Sequence, residues 1–217
     1  MLSPDNIQSN DRAALDFLLE AEGITDIRRD EITRRPDLTQ RVSFAQRRLW
    51  FLHQLSPASA VYNIVTAIRL HGFLDLSVFT ACFKEIVRRH EVLRTTFQDK
   101  GEGPEPCLHD RFDVPICVLE LSDVSIEERE SKVRRFTAEQ AALPFDLALG
   151  PLLRVGIALL SHQEHVIVLV MHHIVADAWS MAVLVNELSE LYPAFAAALP
   201  SPLADLSIQY ADYSRWQ

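Results

Sequence analysis

Six consecutive apolar residues, Val166 to Met171, are followed directly by two histidines. A strand that is apolar at every position is typical of one covered on both faces, whereas a strand with one face in water alternates. The run is far too short to cross a bilayer. The sequence therefore predicts an α/β fold in which this strand lies inside a sheet and helices pack against it.

The rest of the chain supplies the helices and strands that such a sheet needs. Five helices are predicted. The first covers Asp11–Glu22, and the second runs from the capping box at Ser43 to Gln54. The others are a helix after Asp75 with an apolar face from Leu76 to Val87, a helix over Ile126–Ala142 and a helix over Trp179–Tyr192. Strands are predicted over Tyr62–Leu70, Val92–Phe97, Pro115–Leu119 and Leu152–Leu160, with a turn-rich break at Gly101–Pro106. The strand Leu152–Leu160 and the apolar run form a hairpin or lie side by side.

Composition excludes several functional classes. The chain has 217 residues, a net charge of −9 and a pI near 5.3, and it lacks a long basic run, which argues against binding to nucleic acid or to an anionic membrane. Three cysteines, Cys82, Cys107 and Cys117, without CxxC spacing argue against a disulfide framework and a zinc site. The first residues lack a signal-peptide pattern, so we expect a cytoplasmic protein.

One segment departs from the acidic character of the chain. Between Arg28 and Arg48 there are seven arginines against three acidic residues, a local net charge of +4. The segment is either a solvated linker or a contact surface for an acidic partner. Arg47 and Arg48 fall on a predicted helix, and one of the two is expected to line the core or the floor of a tunnel.

The densest chemistry follows the apolar strand, at His172, His173 and Asp177. A neutral imidazole can accept a proton or orient a nucleophile near pH 7. Adjacent strand residues point to opposite faces, so only one histidine can face a given cleft, and the other is structural. Asp177 is also well placed to cap the helix that follows. A metal site needs further ligands, and the sequence has no second cluster that supplies them.

These residues, with four other segments in the same order, carry a family resemblance. His172-His173-xxx-Asp177 resembles the HHxxxDG motif of condensation domains of nonribosomal peptide synthetases. The other matching segments are SFAQRRLWFL at Ser43–Leu52, RHEVLRTTF at Arg89–Phe97, PFDL with GPLLR between Pro144 and Arg154, and YADYSRWQ at Tyr210–Gln217. The glycine that usually follows the aspartate is Ala178 here.

The resemblance implies a chloramphenicol-acetyltransferase-like half-domain, with a central mixed sheet and helices packed on it. Residues 42–217 would be the N-terminal subdomain of a condensation domain, and residues 1–41 a helix and an Arg-rich linker. In the family, the active site lies in a tunnel between two such halves. The C-terminal subdomain is expected to be absent from this chain, and the isolated half to be inactive.

The resemblance also assigns roles. His173 would act on the attacking amine, with His172 as a supporting residue. Asp177 would pair with an arginine of the second motif, Arg94 by preference and Arg89 otherwise. The backbone N–H of Ala178 would stabilise the oxyanion. No metal and no directly bound cofactor is expected, because the substrates arrive on the phosphopantetheine arms of carrier proteins.

Three other functions stay open from the sequence. The same fold could form esters from soluble CoA thioesters, as wax-ester synthases with HHxxxDG do. It could epimerise an amino acid, although RHEVLRTTF is more similar to condensation. It could also act without catalysis, as a module that docks a carrier protein. Whether activity requires a carrier protein distinguishes amide formation from ester formation with CoA thioesters. Whether any product forms distinguishes catalysis from carrier docking alone.

Overall fold

The computed structural model describes residues 32–35 and 41–217, and Thr33–Gln217 belong to one compact unit. Its helices are α1 (Phe44–Leu55), α2 (Leu76–Arg89), α3 (Ile126–Ala142), α4 (Ala178–Ala196) and α5 (Tyr210–Trp216). Its strands are β1 (Asn63–His71), β2 (Thr95–Asp99), β3 (Pro104–Leu108), β4 (Ile116–Glu120), β5 (Leu153–Ser161) and β6 (Glu164–His172). The predicted helix Asp11–Glu22 lies outside the described residues.

The apolar run lies in strand β6, inside a four-stranded sheet of order β1-β6-β5-β4. Strand β6 is antiparallel to both β1 and β5, whereas β4 runs parallel to β5, so the sheet is mixed. Met171 pairs with Ile64 on one side and with Leu153 on the other. The prediction of an inner strand in a mixed sheet is confirmed, as is the pairing of β5 with β6.

The two inner strands of this sheet, β5 and β6, are buried on both faces, as the continuous apolar run predicted. Every residue from His165 to His172 is buried, and so are the successive residues Val155 to Ala158 of β5. Helix α3 covers one face, where a Cβ on Gly156 would lie 2.8 Å from the ring of Phe136. Helices α2 and α4 pack against each other and add side chains to the same core.

The predicted helix starts are confirmed by their caps. Ser43 and Gln46 form a capping box at the start of α1, in which the serine hydroxyl accepts from the Gln46 N–H at 3.1 Å. The carboxylate of Asp75 accepts from the N–H groups of Ser77 at 2.8 Å and Val78 at 3.2 Å, which fixes the start of α2.

Two predictions for the segment from Val92 to Pro106 were wrong. The strand predicted over Val92–Phe97 begins only at Thr95, because Glu91–Arg94 forms a 3-10 helix closed by the Leu93 N–H on the His90 carbonyl. The break predicted at Gly101–Pro106 contains the start of β3. Strand β3 pairs with β2 in a separate two-stranded sheet, where proline is tolerated because each strand lies at an edge. Helix α5, near the end of the chain, was not predicted.

The Arg-rich segment is only partly described, and its described residues correct two expectations. Arg47 and Arg48 are both exposed, so neither lines the core, and the tunnel floor stays a prediction for one of them. Arg34 is not a free linker residue, because its guanidinium pairs with Glu91 at 2.6 Å and with the buried Asp212 at 3.3 Å. Residues 33–35 are thereby fastened to the 3-10 helix and to α5.

Candidate active site

Strand β6 ends at His172, and the loop that follows it carries the predicted catalytic group. The His172 Nδ1 accepts a hydrogen bond from the Ile174 N–H at 3.1 Å, which turns the chain back at once. The Gln46 side chain donates to the Ile174 carbonyl at 3.3 Å and so ties α1 to the same loop. The loop is therefore held by two of the segments that matched the family motifs.

His172 is packed inside the protein and is 1 % exposed. Its ring lies against those of His53, Tyr62 and Phe145, and its Nε2 has no hydrogen-bond partner among the described residues. Burial lowers the pKa of His172 to about 4, and the neighbouring His53 and His173 contribute to the same lowering. His172 is therefore neutral at pH 7 and takes a packing position.

His173 is not buried as His172 is, in agreement with the prediction that the two face opposite sides. It is exposed, it lines a cavity, and its side chain makes no hydrogen bond within the described residues. Its backbone N–H donates to the Tyr62 carbonyl at 2.8 Å, so the main chain is fixed while the imidazole is free. An unbonded imidazole on a fixed main chain is available to a substrate.

Asp177 is the N-cap of α4, one of the two roles foreseen for it. Its carboxylate accepts from the Ser180 N–H at 2.8 Å and from the Ser180 hydroxyl at 2.7 Å. The hydrogen bonds from Ser180 lower the pKa of Asp177, burial opposes them, and the nearby His173 lowers it further. The carboxylate is thus ionised at pH 7 and is used to start the helix.

The predicted ion pair of Asp177 with Arg94 or Arg89 was wrong for the described part of the chain. Arg94 donates to the His109 carbonyl at 2.6 Å. Arg89 donates to the Ala204 carbonyl and pairs with Glu187 at 3.1 Å. The physical reason is competition, because the Ser180 N–H and hydroxyl satisfy Asp177 locally.

Ala178 is the first residue of α4 and is exposed. The backbone N–H of a first helical residue has no acceptor within its own helix, and the helix dipole makes that end attractive to negative charge. Asp177, Trp179 and Ser180 line the cavity, whereas Ala178 does not. The methyl group that replaces the family's glycine hydrogen therefore lies outside the cavity wall.

The cavity beside His173 has a volume of about 480 Å³. Its walls come from α1, α2, the 3-10 helix, the start of α4, the segment before α5 and α5 itself. Most of the lining side chains are apolar, including Leu49, Ile86, Val92 and Leu184. The fold thus brings the first, second, fourth and last matching segments around one space.

One buried group beside this cavity was not predicted from the sequence. Glu187 on α4 is 8 % exposed and holds His90, another cavity residue, through an oxygen 2.9 Å from the His90 Nε2. The available signal was a charged residue on the helix face that carries Leu184 and Leu191. The resulting cluster of Arg89, His90 and Glu187 links α2 to α4.

Comparison with known proteins decides the family. The Condensation domain family model matches residues 38–217. The chain belongs to the condensation domain family. The recognition made from the motifs, and with it the predicted fold class, is confirmed.

Similar sequences occur in very long synthetases. Chondramide synthase cmdD of Chondromyces crocatus is 46% identical over 176 residues, which are 81% of this chain and 4% of that protein. Malpibaldin synthetase of Mortierella alpina is 38% identical over 177 residues, which are 81% of this chain and 3% of that protein. This chain thus corresponds to a few per cent of the length of each of these relatives.

Solved structures agree on the fold. The teicoplanin X-domain in complex with OxyB is 30% identical, with a TM-score of 0.73 over 85% of this chain and 38% of that one. The first condensation domain of the calcium-dependent antibiotic synthetase is 26% identical, with a TM-score of 0.70 over 78% of this chain and 41% of that one. This condensation domain stretch therefore corresponds to about two fifths of each solved chain.

Two negative findings complete the site. No helix among residues 32–35 and 41–217 is long and apolar enough to span a bilayer. Within the same residues, no three His, Cys, Asp or Glu side chains are grouped so as to hold a metal ion.

Proposed function

We propose that this condensation domain chain supplies the His173 wall of an active site that joins two carrier-bound thioesters through an amide bond. The observation that carries the proposal is the position of His173, whose free imidazole lines a cavity while His172 is buried behind it. The family membership supports this class of reaction, and the geometry supports the roles proposed for this chain's residues.

The reaction needs little covalent chemistry from the protein. The acceptor's neutral amine attacks the carbonyl carbon of the donor thioester, a C–N bond forms, and the C–S bond breaks. The amine's proton ends on the departing carrier thiolate. An amine already reacts with a thioester, so positioning both ends in line supplies much of the acceleration.

His173 takes one of two roles in this step. It removes the amine's proton and passes it to the thiolate, or it only holds the amine neutral and aligned. The N–H groups in the first turn of α4 lie at the positive end of the helix dipole, which would stabilise the oxyanion. Trp179 of this turn lines the cavity, whereas Ala178, the donor expected from the sequence, does not. Asp177 acts in this scheme by fixing the start of α4.

The partners follow from the substrates. Both thioesters arrive on phosphopantetheine arms of carrier proteins, so carriers are the proposed partners, and no cofactor is bound directly. Of the Arg-rich segment, Arg47 and Arg48 are exposed and stay available to an acidic carrier, whereas Arg34 is already paired. A cytoplasmic location is part of the same proposal.

A second candidate function is docking without catalysis. The similarity to an X-domain that forms a complex with OxyB favours it. Under this alternative, His173 would be dispensable and the chain would serve as a binding surface. Ester formation from CoA thioesters is the other outcome that an assay must separate.

The test uses the condensation domain in its synthetase, with one carrier loaded with donor and the other with acceptor, and mass spectrometry of the product. Amide formation from carrier-bound substrates, and little from CoA thioesters, is expected. Product from CoA thioesters and an alcohol would favour the ester-forming alternative. Carrier binding without product would favour docking. Residues 1–217 alone, which match about two fifths of the solved domains, are expected to give no turnover.

A further inference from the structure

Residues 33–35 come before the first family motif, yet they bond two segments that contribute to the cavity wall. The Arg34 guanidinium donates to both carboxylate oxygens of Glu91, at 2.6 and 3.3 Å. It also donates to Asp212 at 3.3 Å, and the Arg35 N–H donates to the same carboxylate at 3.0 Å. One short stretch of chain therefore holds the 3-10 helix and α5 at the same time.

The two carboxylates that Arg34 holds do not line the cavity, but their neighbours in sequence do. The wall residues on either side of them are His90, Val92, Leu93, Gln209, Tyr210 and Tyr213. Arg34 itself is not among the lining residues, so it joins the two segments from behind the wall. A cation shared between two segments restrains their separation, and hence the shape of the wall that they form.

Asp212 makes this contact stronger than an ordinary surface ion pair. Its side chain is 0% exposed, and a buried carboxylate must be compensated by cations and N–H donors. Burial raises the pKa of this carboxylate, but hydrogen bonds from the N–H groups of Gln209 and Arg35 and from Arg34 lower it overall. Without Arg34 it would keep Arg215 and the Gln209 N–H, so α5 should stay folded while its tie to the 3-10 helix weakens.

A second tie joins the same two segments without charge. The Gln209 side chain donates to the Arg89 carbonyl at 2.7 Å and accepts from the Glu91 N–H at 3.0 Å. Gln209 belongs to the wall itself, whereas Arg34 belongs to the chain that precedes it. Of these two ties, the one through Arg34 therefore responds to movement of the preceding chain.

We propose that residues 33–35 form a strap that holds the cavity wall together between the 3-10 helix and α5, with Arg34 as its positioning residue. The inference goes beyond the proposed function, because it concerns how the chain before the first motif acts on the cavity, whatever reaction occurs there. Release of Arg34 loosens the wall, and by the reciprocity of coupled equilibria an ordered wall keeps the strap bound.

Hydrogen exchange of the full chain, read by mass spectrometry, tests the strap directly. Arg34→Ala should speed exchange in residues 91–95 and 210–217 by about threefold or more, an effect that one partly exposed charge pair can produce. Exchange in β5 and β6 should stay unchanged, which separates local loosening from global destabilisation. Arg34→Lys keeps the charge but loses the planar fork, so its exchange should fall between those of Arg34→Ala and the original chain.

Arg35→Ala is the matched control. It removes a neighbouring guanidinium that bonds only Thr33 among the described residues, and it keeps the backbone N–H that bonds Asp212. This variant should exchange like the original chain in both segments. If Arg34→Ala did the same, the strap would play no part in the wall and the proposal would be overturned.

Trypsin gives an independent measure of strap release. Cleavage after Arg34 requires this side chain to enter the protease's specificity pocket, and the strap engages both the side chain and the N–H of the bond to be cut. Cleavage at this bond should be about tenfold slower or more in the full chain than in a synthetic peptide of residues 28–41, and Glu91→Gln should speed it. Cleavage of the folded chain at the peptide's rate would also overturn the proposal.

Discussion

Acidification should destabilise this protein through His172. The imidazole is buried, and its pKa falls from the ordinary 6.5 to about 4. Between pH 4 and pH 6.5, His172 is therefore mostly protonated in the unfolded chain and mostly neutral in the folded chain. The stabilisation is complete above pH 6.5 and is lost as the pH falls toward 4. The linkage relation gives a loss of about 1 kcal/mol at pH 5.5 and about 3 kcal/mol at pH 4.

The assay is urea unfolding at pH 7, 5.5 and 4, with His172→Asn as the comparison. Asparagine keeps an acceptor for the Ile174 N–H but does not titrate. The variant should be less stable at pH 7 and should lose about 3 kcal/mol less than the original chain on going to pH 4. His162→Asn, at an exposed position, is the control. An equal loss in His172→Asn and in the original chain would refute the assignment of this pH dependence to His172.

Three further substitutions test the packing around the site. Asp177→Ala removes the α4 cap and should lower the unfolding free energy by about 1 kcal/mol in urea; a loss of about 3–5 kcal/mol would instead indicate a buried ion pair. Gly156→Ala places a methyl group 2.8 Å from the Phe136 ring and should lower the unfolding free energy by about 1–3 kcal/mol. A neutral effect would mean that the ring shifts freely. Glu187→Ala leaves Arg89 buried and unpaired and should lower the melting temperature far more than Asp177→Ala; a smaller shift would contradict the buried pair.

The sheet was predictable because its pattern is local. Six apolar residues in a row specify burial on both faces, and the caps at Ser43 and Asp75 specify helix starts one residue later. Helix α3 was predicted with the bounds that the structure has, Ile126–Ala142. In each case, the residues that determine a helix or strand lie within it or within a few positions of it in the sequence.

The predictions failed where residues distant in sequence determine the local structure. The prolines of β3 argue against a strand, yet pairing with β2 at an edge tolerates them. Helix α5 is short, and its buried Asp212 accepts from the nearby Gln209 N–H and also pairs with Arg34, far away in sequence. Such pairings cannot be inferred from local pattern.

The features of the candidate site likewise divide into those that a local sequence pattern predicted and those that it did not. Alternation along a strand predicted that His172 and His173 face opposite sides, and the motifs predicted which one reaches a cavity. The partner of Asp177 was assigned by resemblance alone and was wrong, since the nearer Ser180 satisfies it. The cluster around Glu187 was missed because it requires the packing of α4 on α2.

The most direct test of the account is the amide-forming rate of the complete condensation domain with His173→Ala. Because His173 is exposed and its side chain makes no hydrogen bond among the described residues, stability should be unchanged. The rate should fall by roughly 100-fold or more, the range of a lost acid–base or positioning group. His162→Ala is the exposed control. A His173→Ala domain that folds normally and forms the amide within a few-fold of the original rate would contradict the central claim.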